Sequence, residues 1–110
     1  WLTRKKGQYF QCWTERADII SNLSMVDAVI SWDDSDDSAL GAIGKCLEIS
    51  EKVIFCNGGD RIKSNIPEIQ GYGDDSRVEF KFSIGGEDKM NSSSWILHDY
   101  FERQRKLLGI

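Results

Sequence analysis

One proline, one histidine and three cysteines are all that these residue types contribute, and no apolar run approaches the ~20 residues a membrane-crossing helix needs. Each scarcity excludes something. Cys12, Cys46 and Cys56 are odd in number, fall in no Cys-x-x-Cys spacing and lie mostly in apolar contexts. They read as reduced, buried thiols of a cytoplasmic protein rather than as disulfides or metal ligands. Positive charge is in deficit, with 14 Lys and Arg against 18 Asp and Glu, a net charge of −4 and a pI near 4.9. No basic face remains to meet a nucleic acid. Nothing resembles a signal peptide, and no internal repeat or low-complexity tract divides the 110 residues, so one soluble domain without a membrane partner is expected. Methionine is missing from the start. The chain opens at Trp1 in a Lys/Arg-rich stretch, as the continuation of a longer chain would.

What is present centres on residues 52–61. The apolar run Val53-Ile54-Phe55-Cys56 reads as a buried strand and ends abruptly in Asn57-Gly58-Gly59-Asp60-Arg61. An open α/β sheet presents a ligand loop in this way, at the carboxyl end of a strand. Paired glycines permit positive φ and let backbone N–H groups approach an anion, while Asp60 and Arg61 supply one charge of each sign. The alternative is an ordinary Asn-Gly turn.

The flanking chain alternates helix and strand. Residues 1–11 read as a basic loop with a Lys5-Lys6-Gly7 turn and an inward-packed Tyr9-Phe10 pair. Thr14 is a plausible N-cap for a helix to about residue 23, with Arg16 near its start and Ala17, Ile20 and Leu23 on its inner face. Residues 26–32 have the β-branched enrichment of a strand, and Trp32 suits the core, with a lid over the site as the alternative. The acidic run 33–38 lacks the glycine and distal glutamate of a calcium loop and is expected to cap a small-residue helix over 39–47. Pro67 opens a short helical turn through Gln70, residues 78–82 form another strand, and Gly85-Gly86-Glu87-Asp88-Lys89 makes a second glycine-rich loop. Ser92, Ser93 and Ser94 then cap a last helix with the apolar stripe Trp95, Ile96, Leu97, Tyr100 and Phe101. His98 lies inside that helix and reads as a surface or half-packed residue. The expected class is α/β with parallel strands.

Three segments together resemble the cytidylyltransferase-like nucleotidyltransferases, the Rossmann-like superfamily that includes glycerol-3-phosphate cytidylyltransferase and the heptose-1-phosphate adenylyltransferase domain. Lys6-Gly7, Glu15-Arg16, Ile19-Ile20, Leu23, Val26-Asp27 and Val29-Ile30 resemble the family's Lys-Gly loop, Glu-Arg helix and Val-Asp-x-Val-Ile strand. Residues 55–60 are similar to its strand and Gly-Gly-Asp loop, and Ser92-Ser93-Ser94 stands where the family has Ser-Thr-Thr. The resemblance implies a reaction in which a phosphorylated metabolite, a sugar phosphate or glycerol phosphate, attacks the α-phosphorus of ATP or CTP and releases pyrophosphate. It further implies Mg²⁺ as cofactor and a homodimer. Lys6 takes the catalytic, charge-neutralising role, Ser92, Ser93, Ser94 and Lys89 the nucleotide phosphates, and Gly58, Gly59, Asp60, Arg61, Arg16 and Asp33 the acceptor or ribose. No metal ligand is assigned.

The chain also departs from the family pattern. Ser24-Met25 replaces the arginine and aromatic of cytidylyltransferases, Glu87 replaces an arginine before the serine motif, and Gly58-Gly59-Asp60 leans towards the sugar-phosphate adenylyltransferase branch. The His-x-Gly-His motif has no counterpart. Residues 1–110 are therefore read as the C-terminal part of one nucleotidyltransferase domain whose first two strands, central in the family order 3-2-1-4-5, lie upstream. Without them the chain is expected to be neither stable nor active by itself. The alternative is a non-catalytic nucleotide- or phosphometabolite-binding domain. A flavodoxin-like signalling domain with an acidic pocket after Trp32 leaves the Glu-Arg helix and the triple serine unexplained.

Overall fold

The computed structural model describes residue 7 and residues 9–110. Their order is α1 (Trp13–Ser21), α2 (Leu40–Ile49), β1 (Val53–Cys56), α3 (Glu68–Tyr72), β2 (Val78–Lys81) and α4 (Ser93–Leu108). The two strands pair in parallel, Val53 opposite Val78 and Cys56 opposite Lys81, with α3 on the connection between them. A mixed α/β architecture with a small two-stranded parallel sheet follows.

The strands form where β-branched and aromatic residues concentrate, and their pairing is reinforced by an edge-to-face contact between Phe55 and Phe80 at 5.7 Å. Alternation decides which residues are covered: Val53, Phe55, Val78 and Phe80 are buried or half-buried, while Ile54, Cys56, Glu79 and Lys81 are exposed. α2 packs against β1 and α3. Glycines make this approach close, since a Cβ on Gly41 would lie 3.3 Å from the Trp32 ring and one on Gly44 3.3 Å from the Tyr72 hydroxyl. The small residues of α2 thus receive aromatic side chains of neighbouring segments as well as facing the sheet. Among the described residues the buried apolar core is Ile43, Ile66 and Val78.

Local signals account for the helix ends. Ser92 accepts a hydrogen bond from the Trp95 N–H at 3.1 Å and starts α4, and Gly109, at φ 71°, ends it with Arg105 and Lys106 in the last turn. Pro67 precedes α3 as expected. α1 begins earlier than Thr14 predicts, because the Cys12 carbonyl accepts the first helical bond, from Arg16 N–H at 3.1 Å. On the turn into β2, Asp75 accepts from the side chain and the backbone N–H of Arg77, which holds its carboxyl at about 2, below the ordinary 3.8.

Three expectations are corrected. Residues 26–32 form no strand but run as irregular chain. The Val26 N–H bonds back to the Leu23 carbonyl at 3.0 Å, and the Ser31 carbonyl is taken by Lys45 Nζ. β-propensity makes a strand only where a ladder partner exists, and β1 and β2 pair with each other. Tyr9 and Phe10, expected inward, are 51% and 67% exposed. Most of the apolar stripe of α4 is likewise uncovered, with Tyr100 59% and Phe101 67% exposed and Leu97 alone half-buried.

Candidate functional site

The site begins at the carboxyl end of the sheet, where both glycine-rich loops emerge. Parallel pairing continues past the strands: Asn57 N–H bonds the Lys81 carbonyl at 2.8 Å, Ile84 N–H the Asn57 carbonyl at 3.0 Å and Gly59 N–H the Gly86 carbonyl at 3.1 Å. This corrects the reading of the Gly59 N–H as one free to meet an anion. The Gly59 N–H is spent on the neighbouring loop, and a Cβ on Gly58 would meet the Ile84 carbonyl oxygen at 2.6 Å. Gly58 therefore permits close backbone approach, while Gly59, at φ +61°, supplies the left-handed turn.

The remainder of that loop is held by Asn65. Its Nδ2 donates to the Asp60 carbonyl at 3.0 Å, its Oδ1 accepts from Ile62 N–H at 2.9 Å, and its own carbonyl accepts from Arg61 Nη1 at 3.3 Å. Asp60 does not line the cavity, whereas Arg61 does.

That cavity, of about 990 Å³, lies between α1, residues 29–39 and the loop from Asn57 to Glu68. Its size suits a small metabolite. Trp13, Arg16, Ala17 and Ile20 recur at helical spacing and present one face of α1 to it. The face expected to pack inward is thus the wall of a cavity. Opposite stand Asn57, Arg61, Ile66, Pro67 and Glu68, with Trp32, Asp34, Asp37 and Ser38 from the acidic loop. Trp32 is 38% exposed and donates from Nε1 to the Ser38 carbonyl at 3.0 Å, so it forms a fixed wall, neither core nor free lid.

The acidic loop caps α2 indirectly. Asp33 accepts from Ser35 N–H at 3.0 Å, and Asp36 accepts from both the N–H and the hydroxyl of Ser38. The Ser38 hydroxyl in turn accepts from Leu40 N–H at 3.1 Å. A second helix-end donor, Ala39 N–H, is satisfied at 2.8 Å by Glu68, a buried carboxylate 29 positions away on α3. Asp33, expected at the acceptor, makes a turn instead and does not line the cavity.

Two side-chain atoms among the described residues are buried without a hydrogen-bond partner, Arg16 Nε and Asn57 Nδ2. Both belong to residues lining this cavity. A buried donor left unpaired costs ~1–3 kcal/mol, and both of these sit on residues of one cavity wall.

The structure therefore brings together Arg16 and Arg61 and leaves other expected site residues elsewhere. Ser92, Ser93, Ser94 and Lys89 do not line the cavity. Ser92 is occupied as the cap of α4, Ser93 and Ser94 are each engaged in a polar interaction, and Lys89 Nζ stands 5.2 Å over the Trp95 ring. Lys6 lies outside the described residues. No group of three or more His, Cys, Asp or Glu side chains among the described residues could hold a metal ion. Asn57 and Glu68 were not legible as site residues in the sequence: an asparagine before two glycines reads as a turn, and Glu68 acts on a segment far from it in the chain. No described helix is long and apolar enough to cross a membrane. No family model, no curated protein and no solved structure matches the chain.

Proposed function

We propose that the chain forms the acceptor-binding part of a Rossmann-like nucleotidyltransferase that transfers a nucleoside monophosphate from ATP or CTP to a sugar phosphate or glycerol phosphate. The observation that carries this reading is the convergence of Arg16 and Arg61 on one metabolite-sized cavity beside the carboxyl end of β1. Guanidinium groups suit a phosphate, and the carboxylates of Asp34 and Asp37 on the same cavity suit the hydroxyls of a polyol. An acceptor phosphate oxygen attacks the α-phosphorus, a new P–O bond forms, and the bond to the leaving pyrophosphate breaks. The arginines hold the attacking group in place and reduce its charge repulsion with the triphosphate. Lys6 is assigned to the transferring group on the family resemblance.

Pyrophosphate release by the intact protein, measured with ATP or CTP and a panel of polyol phosphates, tests the reading. Acceptor-dependent release that falls about tenfold or more in Arg61→Gln is expected, the size of losing a charge-assisted hydrogen bond. No release with any pair in the panel overturns transfer. A second reading, binding without transfer, is favoured by one observation: the serine-bearing end of α4 and Lys89 do not line the arginine cavity. Saturable binding of a phosphate monoester without pyrophosphate release distinguishes it.

A further inference from the structure

We propose that Arg16 and Asn57 together seat the phosphate of a phosphate monoester, with Arg16 Nε and Asn57 Nδ2 donating to its oxygens. The proposal rests on reading the cavity as the acceptor site, and it adds Asn57 as the residue that positions the anion. Asn57 follows β1 directly, and its backbone is held on both sides by the second glycine loop, through N–H to Lys81 and carbonyl to Ile84. Its side chain is thereby carried by a rigid part of the sheet. Arg16 comes from the cavity face of α1. These are the two atoms among the described residues that are buried with no partner, and they belong to different elements of one cavity. An oxygen-rich group bound in that cavity would supply acceptors to both.

The charges favour phosphate over carboxylate. Arg61 adds a second guanidinium to the same cavity, and a phosphate monoester at neutral pH carries close to two negative charges on three acceptor oxygens. The amide supplies a neutral donor that orients the group without adding charge. Asn57→Asp keeps the shape and turns the donor into a repelling carboxylate.

Binding of glycerol 3-phosphate, inorganic phosphate, acetate and glycerol to the intact protein tests the seat. Glycerol 3-phosphate and phosphate are expected to bind, acetate and glycerol far more weakly. Asn57→Asp and Arg16→Gln should each weaken glycerol 3-phosphate by about 10- to 100-fold, the range of a hydrogen bond to a charged group. Wild-type affinity in Asn57→Asp, with Arg61→Gln impaired, overturns the seat while the acceptor-site reading stands. Acetate binding as tightly as phosphate overturns the assignment to phosphate. No binding of any phosphate probe overturns the acceptor site and the seat with it. A measurement on the unaltered protein covers the case in which a variant misfolds. The NMR signals of the Asn57 side-chain amide and the Arg16 Nε–H should shift saturably with glycerol 3-phosphate and not with glycerol. Signals that stay in place as the probe binds overturn the proposal.

Discussion

Gly58 and Gly59 are neighbours with different reasons to be glycine. At Gly58 the obstacle is another backbone, the Ile84 carbonyl 2.6 Å from where a Cβ would stand, so Gly58→Ala must push the two loops apart. A loss of ~1–3 kcal/mol is expected, as for other overpacked sites. At Gly59 nothing lies within 4 Å and the cost is conformational, from φ +61°, so Gly59→Ala should lose ~1–2 kcal/mol. Denaturant midpoints of the intact protein measure both. An amide signal of Gly86 that shifts in the first variant and not the second would separate loop displacement from backbone strain. Asp75 gives a pH prediction. Its hydrogen bonds from the Arg77 side chain and backbone lower its carboxyl from 3.8 to about 2 in the folded chain. The pair's contribution to stability is therefore present above about pH 4 and is lost as pH falls towards 2. An NMR titration should place the Asp75 carboxyl well below the ordinary 3.8, and Arg77→Ala should bring it back towards that value.

At the scale of elements, the two caps contrast in reach. Ser92 caps α4 from within three residues, by accepting from Trp95 N–H, and that relation is visible in the Asn-Ser-Ser-Ser run. Glu68 satisfies Ala39 N–H at the start of α2 across 29 positions, and no local pattern announces it. Removing it by Glu68→Ala should destabilise by ~1–2 kcal/mol, the usual cost of a lost N-cap acceptor. Glu68→Gln keeps an oxygen at the same place and should recover most of that loss. Equal losses in thermal melts of the two variants would show that charge, rather than the hydrogen bond, holds α3 to α2. The elements legible in advance, the helices α1 to α4 and the strands β1 and β2, all rest on signals from residues near one another in the chain. Residues 26–32 misled because their composition is that of a strand, while strand formation depends on a neighbour.

The whole molecule exposes more than its size predicts. Its accessible surface is 8665 Å², against ~6,200 Å² for a folded monomer of this mass. Its radius of gyration is 17.1 Å, against ~13 Å for a compact chain of this length. Large apolar side chains account for part of the excess, among them Tyr100, Phe101, Leu107 and Leu108 on α4 and Ile54 on β1. An apolar core of Ile43, Ile66 and Val78 among the described residues offsets little of the conformational entropy that ordering those residues costs. The 110-residue chain by itself should therefore bind a hydrophobic dye, associate with rising concentration and melt over a broad range. A sharp transition with matching calorimetric and van't Hoff enthalpies would count against this.

What the sequence determined by itself was local: the strand ahead of the glycine pair, the serine start of α4, the helices α1 and α2, the proline entry to α3 and the mixed α/β class. Each follows from interactions between residues a turn or less apart, or from the alternation of a few neighbours along a strand. Tertiary structure decided the rest. It turned the Gly59 N–H to Gly86 instead of a ligand, left residues 26–32 without a ladder, and made the inner face of α1 a cavity wall. It also brought Arg16 together with Asn57 and Arg61. A side chain's partners depend on which distant segments pack beside it, and a hydrogen-bond donor is spent or left for a ligand only once those segments are in place.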